Sequence, residues 1–145
     1  MPKVNLLEVD EGNWRDVANV KVKSHQEEFV AATTYYLSLA HYGDDWHPLA
    51  IEADGEIVGH VMWAVDEEED SIWLGGLVID AAVQARGIGS AAVQAFLDRF
   101  GPGPGAHIAL SYAPENTVAR RLYQKLGFVE TGEMAEDEVV ARYRP

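Results

Sequence analysis

No cysteine occurs among the 145 residues. That absence excludes disulfides, thiolate metal sites and a cysteine nucleophile together. Basic residues are scarce: 11 Lys and Arg stand against 24 Asp and Glu, for a formal net charge of -13. A field of that sign argues against nonspecific nucleic-acid binding, which needs positive charge facing the phosphates. It would steer cationic partners instead, although acidity also serves solubility alone. No apolar run reaches about 18 residues, so no membrane-spanning helix is expected. The stretch MPKVNLLEVD lacks the long apolar run of a secretory signal, and a cytoplasmic location is the expectation. The five histidines, at 25, 41, 47, 60 and 107, do not show metal spacing such as H-E-x-x-H. No metal is expected, and no Ser-His-Asp pattern stands out. There is no internal repeat. The one low-complexity patch is GPGPG, Gly101–Gly105, where alternating Gly and Pro cannot continue a helix and mark a loop.

What is present suffices for one domain spanning residues 1–145, with 48% hydrophobic residues to build its core. VNLLEV, Val4–Val9, reads as a first strand. NWRDVANV follows as a short helix with Asn13 at its cap. SHQE places Ser24 three residues before Glu27, a capping-box pattern. From Phe29 the positions Thr33, Tyr36, Leu37 and Ala40 keep helical spacing to about Gly43. Three strands come next: HPLAIEA, closed by the hairpin signal Asp54-Gly55; EIVGHVMWAV, ending in DEEED; and SIWLGGLVID. They read as an antiparallel meander. A helix then starts near Ile88, with Ala92, Val93, Phe96, Leu97 and Phe100 on one face. AHIALSY is a strand. NTVARRLYQKLG is a helix capped by Asn116, with Gly127 just past its end. FVETGE and EVVARYR form a closing hairpin. The whole is an α+β, or mixed α/β, domain around one sheet.

One corner carries a chemical signal. In VIDAAVQARGIGSAAVQAF a strand ends near Ile79, the connection runs through Gln84–Gly89, and the helix starts at about Ile88. The first amides of a helix have no internal partner, and its dipole adds positive charge there. Gly87 and Gly89 let a ligand approach the backbone, while Arg86 and Ser90 add donors. An anion such as a pyrophosphate fits such a corner. It is not a Walker loop, since no Gly-Lys-Ser/Thr follows. It is not a dinucleotide fingerprint either, since Ala92 stands where the third glycine would be.

Gln84, Gly87 and Gly89 occupy the three defining positions of the Gln/Arg-x-x-Gly-x-Gly/Ala segment of the GNAT superfamily of acetyl-CoA-dependent N-acetyltransferases. NTVARRLYQKLGFVETGE is similar to the later motif of that superfamily: an asparagine cap, a tyrosine within the helix, then Leu-Gly-Phe leading into a strand. The two segments cover roughly the C-terminal half. In the N-terminal half, HQEEFVA, YYLSLAHYGDDWHPLAI, DGEIVGHVMW and DEEEDSIWLGGLVID resemble the spermine/spermidine (diamine) acetyltransferase branch. In that branch charged residues often stand mid-strand where this chain has Gly75-Gly76.

The resemblance implies a GNAT-like fold, with a central, mostly antiparallel, splayed sheet flanked by helices. It implies acetyl-CoA as cosubstrate, with Leu77, Val78 and Ile79 along its pantetheine arm. Gln84, Ala85, Arg86, Gly87, Ile88, Gly89 and Ser90 would hold its phosphates. Asn116 would bond the pantetheine as well as cap its helix, and Lys125 would reach a phosphate or stand as a solvated helix charge. A backbone N–H near Leu77 or Val78 would face the carbonyl oxygen as it gains charge. Gly75-Gly76 would widen the slot or form an ordinary β-bulge. Tyr123 would protonate the leaving thiolate; the same residue would also suit the core face of an amphipathic helix. A cationic amine acceptor would lie among Glu27, Glu28, Tyr36 and Trp46, with cation–π contacts to the aromatic rings. Glu28 would double as a water-linked base, Glu27 as a helix cap, and DEEED as a solvated turn. Alternatives stay open: another amine (amino acid, aminoglycoside or protein), or a CoA-binding sensor without chemistry. Dimerisation is common in the superfamily, so a homodimer is a further implication.

Overall fold

The computed structural model describes residues 2–101 and 107–144. Most of the GPGPG loop therefore lies outside the described residues. Seven strands form one sheet in the order β1-β2-β3-β4-β5-β7-β6. They are β1 (Val4–Glu8), β2 (His47–Ala53), β3 (Glu56–Asp66), β4 (Ser71–Ile79), β5 (His107–Tyr112), β6 (Phe128–Ala135) and β7 (Glu138–Tyr143). Helices α1 (Trp14–Ala18), α2 (Thr33–Tyr42), α3 (Ile88–Phe100) and α4 (Thr117–Lys125) flank it. Every neighbouring pair is antiparallel except β4–β5. The expected α+β class, meander and closing hairpin are all present. Among the described residues, no helix is long and apolar enough to cross a membrane.

Local chemistry explains several joints. Asp54 (φ 52) and Gly55 (φ 81) both take the left-handed conformation between β2 and β3, as a two-residue hairpin turn requires. After β3, Asp66 Oδ1 accepts the N–H groups of Glu68 (3.1 Å) and Glu69 (3.4 Å). The DEEED run is thus an aspartate-capped turn. Helix α3 buries Ala91, Ala92, Val93, Phe96 and Leu97, a spacing that keeps one face on the sheet. That face joins Leu49, Ile51, Ile108 and Leu110 in the core.

Two cap readings change. Ser24 and Glu27 do not form a capping box: Ser24–Gln26 is a single 3-10 turn. Its reach-back bond runs from Lys23 N–H to Gln26 Oε1 (3.1 Å). The α-helix begins only at Thr33, a buried residue whose hydroxyl donates to the Val20 carbonyl (2.9 Å). Tertiary partners for Gln26 and Thr33 thus override a locally sound cap. Asn13 stands at the start of α1 but makes no side-chain cap bond. Instead its Oδ1 accepts Asp10 N–H (2.8 Å) and its Nδ2 donates to the Glu8 carbonyl (2.9 Å). It closes the turn leaving β1 rather than the helix end.

One irregularity positions the site. β4 and β5 pair only through Ser71–Trp73 and His107–Ala109. Beyond that, β4 stays with β3 and β5 stays with β7, so the sheet opens into a wedge. His60 and Met62 of β3 pair with Val78 and Gly75 of β4. Gly76 and Leu77 therefore face Val61 alone, which is a β-bulge, and a bulge bends its strand.

Candidate active site

The wedge holds a cleft of ≈ 470 Å³. Its floor is β4 from Trp73 through Leu77, with Ile79. Gln84, Ala85 and Gly87 form one end, running into Ile88 and Gly89 of α3. Ser111, Tyr112, Asn116, Ala119, Leu122 and Tyr123 form the far wall, while Gln26, Phe29, Val30, Tyr36 and Trp46 cover it.

At the loop end, Ala85 (φ 65) and Gly87 (φ 80) are both left-handed, and Gly87 immediately precedes α3. The first α3 amide with an intrahelical acceptor is Ala91 N–H, 3.0 Å from the Gly87 carbonyl. The preceding amides have no backbone partner among the described residues and can meet an anion. Gln84 braces the loop. Its Nε2 donates to the Ile79 carbonyl (2.8 Å), and it shares two amide–amide bonds with Gln26 (3.0 and 2.8 Å). The loop thus has the shape, free donors and bracing that a pyrophosphate needs.

Two stacked tyrosines line the far wall, Tyr112 and Tyr123, with centroids 5.9 Å apart and planes at 17°. They differ in their hydroxyls. Tyr112 donates to Glu130 Oε1 (2.8 Å), itself held by Arg120 Nε (2.9 Å). Burial and Glu130 push the Tyr112 phenol up to about 12. Tyr123 is 6% exposed and borders the cleft. Burial, and more weakly the neighbouring Tyr112 and Tyr36, raise its pKa well above that of an ordinary phenol. It therefore keeps its proton at neutral pH.

Asn116 also borders the cleft, and its Oδ1 accepts Ala119 N–H (3.2 Å) at the start of α4. Asn116→Ala should lower stability by about 1 kcal/mol through loss of the cap, measured by urea denaturation. A weakened CoA affinity in the folded variant would report a separate contact to the ligand.

The other sequence-derived candidates fall into three places. Leu77, Ile79, Gln84, Ala85, Gly87, Ile88, Gly89, Tyr36 and Trp46 line the cleft with Asn116 and Tyr123. Val78 is buried and its side chain is not part of the lining; exposed Arg86 and Lys125 and half-buried Ser90 also lie off it. Glu27 is exposed and borders neither this cleft nor its neighbour. Glu28 borders that neighbour, a cavity of ≈ 410 Å³ with Phe29, Ala113, Pro114, Glu115, Asp137 and Glu138. Phe29, Ala113 and Glu138 border both spaces. Glu138 was not legible in the sequence, because β7 reaches the site only through its pairing with β5.

The bulge falls on Gly76 and Leu77, while Gly75 keeps its pairing with Met62. A Cβ on Gly75 would sit 2.9 Å from the Trp46 ring, so the missing side chain admits that ring. Gly76 is left-handed (φ 57), and a Cβ there would meet His60 Cε1 at 3.1 Å. Nothing adjacent to His60 in the sequence marks it. It has no solvent exposure, its Nδ1 lies 2.7 Å from the Gly76 carbonyl, and its Nε2 is buried without a partner among the described residues. A carbonyl only accepts, so the neutral ring carries its proton on Nδ1. Burial depresses its pKa to about 4, against the opposing pull of the Gly76 bond. The folded value lies below the unfolded one, so this stabilisation is complete above about pH 6.5 and is lost as pH falls toward 4. Wild type should lose roughly 2 kcal/mol between pH 7 and pH 5. Urea denaturation at both pH values checks this, and His60→Phe should abolish that loss.

Comparison with known proteins gives the family and the fold. The profile of the Acetyltransferase (GNAT) family matches residues 12–128. The spermine/spermidine N(1)-acetyltransferase of Bacillus subtilis (strain 168) is 26% identical over 138 residues, covering 90% of this chain and 91% of the relative. The fold matches a spermidine N-acetyltransferase from Vibrio cholerae in complex with CoA and spermine, with TM-score 0.73, 20% identity and coverage of 97% and 93%. It also matches AAC(6')-Ib in complex with ribostamycin and coenzyme A, with TM-score 0.77, 21% identity and coverage of 97% and 92%.

Proposed function

Because this chain belongs to the GNAT acetyltransferase family, we propose that it moves the acetyl group of acetyl-CoA onto a primary amine of a linear polyamine such as spermidine or spermine. The observation that carries the acceptor class is the shared wall at Glu138. The acetyl-transfer cleft runs there into a cavity bordered by Glu28, Glu115, Asp137 and Glu138. Carboxylates spaced along a passage suit ammonium groups spaced along a chain, and Phe29, Tyr36 and Trp46 offer faces to the methylenes between them. The Bacillus subtilis relative carries a spermine/spermidine activity in its name, which supports the same class.

The residues then divide the work. The free amides opening α3 hold the pyrophosphate, with Arg86, Ser90 and Lys125 as outer donors and Gln84 bracing the loop. The β4 backbone at Leu77–Ile79 and the Asn116 side chain align the pantetheine arm. The neutral amine attacks the thioester carbonyl, forming the C–N bond. Its proton leaves through water to Glu28. The Leu77 N–H meets the oxygen as negative charge gathers on it. As the C–S bond breaks, Tyr123 gives its proton to sulfur. The net acidity of the chain draws the cationic acceptor, while the cradle at α3 holds the anionic donor locally.

The test is a panel of amines with acetyl-CoA, read by release of free thiol. Turnover with spermidine but not with lysine or kanamycin is the expected result. Turnover with kanamycin alone would move the acceptor to the aminoglycosides. Tight CoA binding with no turnover on any amine would overturn the catalytic reading.

A further inference from the structure

The bulge in β4 is clamped from one side. His60 projects from β3 beneath Gly76, and Tyr36 of α2 stacks on its ring, with centroids 5.5 Å apart and planes at 6°. The backbone N–H of Ala31 donates to the Tyr36 hydroxyl (3.0 Å), so Tyr36 is itself held in place. Around Gly76, the virtual Cβ position lies 3.1 Å from His60, 3.2 Å from Met62 and 3.3 Å from Tyr36. A Cβ there would press on all three side chains, and the left-handed φ favours glycine as well. The polar grip on Gly76 is the 2.7 Å bond from His60 Nδ1 to its carbonyl.

That bond has a consequence across the peptide. The Gly76 C=O and the Leu77 N–H belong to one trans unit and point in opposite directions. With the carbonyl drawn to His60, the Leu77 N–H is turned away from it, and Leu77 borders the cleft. We infer that His60 is a positioning residue for acetyl transfer: its Nδ1–H fixes the Gly76 carbonyl and so aims the Leu77 N–H at the thioester carbonyl oxygen. The role rests on the transferase reading above. It also accounts for a polar ring kept in full burial with an Nε2 that has no partner among the described residues, which a purely structural position would fill better with a phenyl ring.

Two variants separate donor from packing. His60→Phe keeps an aromatic ring against Tyr36 and removes the donor. His60→Asn removes the ring and keeps an amide N–H close to the place of Nδ1. The expected pattern is crossed. The Phe variant keeps CoA affinity and thermal stability yet loses about 100-fold in kcat, the scale set by misplacing one transition-state donor. The Asn variant is less stable yet recovers most of the rate. Full activity in His60→Phe, or equal losses in both folded variants, would overturn the assignment. A second readout needs no turnover: the Leu77 amide proton resonance should move downfield with acetyl-CoA relative to CoA in wild type, and not in His60→Phe. If wild type were inactive on every amine, the transferase reading would fall, and that resonance would still decide the role of His60. An unmoved Leu77 signal in wild type overturns it.

Discussion

Tyr123→Phe should lower kcat by about 1,000-fold, within the range for loss of a general acid, while CoA affinity stays unchanged. Four observations converge on this residue. It sits on α4 in the wall of the cleft. Burial holds its proton on at neutral pH. The adjoining Tyr112 has its hydroxyl engaged by Glu130 and is not available to substitute. Removal of one hydroxyl leaves the stack on Tyr112 and the edge contact to Phe128 (5.6 Å) in place, so the fold should persist. Rapid-quench measurement of single-turnover acetyl transfer isolates the chemical step from product release. An unchanged single-turnover rate would remove tyrosine from the acid role. A pH profile adds a second check: because the folded phenol titrates above its ordinary value, the wild-type basic limb should lie above about pH 10, beyond the usual range of a free phenol.

Gly87→Glu should weaken CoA binding by on the order of 1,000-fold, since a like charge set against a bound phosphate costs several kcal/mol. The position is stringent for two reasons. Its φ of 80 is left-handed, which a side chain tolerates at a cost of about 1–2 kcal/mol. It also precedes the free amides of α3, so a carboxylate there competes for the donors the pyrophosphate needs. Among the described residues a Cβ would meet only Pro2, at 3.3 Å, so the core is untouched and the variant should fold. Isothermal titration with CoA measures the effect. Gly87→Ala serves as the control: it carries the backbone strain without the charge and should lose far less affinity. Equal affinity of Gly87→Glu and wild type would contradict the cradle.

Features written in a few adjacent residues were legible. The glycines at the start of α3, the Asp54-Gly55 turn, the Asn116 cap and the helical spacing from Ala92 to Phe100 each depend on neighbours within one turn. Where adjacent residues competed, the reading failed: the Ser24–Glu27 box lost to Gln26, and Asn13 was taken by the turn at Asp10. Pieces of the site built from distant segments were out of reach. Gln26 and Gln84 meet across 58 positions and His60 and Gly76 across 16, and no pattern in either segment announces the other.

From the chain alone came the order of elements, the glycine-flanked start of α3 and the tyrosine on α4, because backbone sterics and helix ends act over a few residues. Packing decided which carboxylates share a cavity, that a bulge at Gly76 and Leu77 bends β4, and that a buried histidine grips the bend. Strand register sets those relations, and register emerges only when all seven strands compete for the same core.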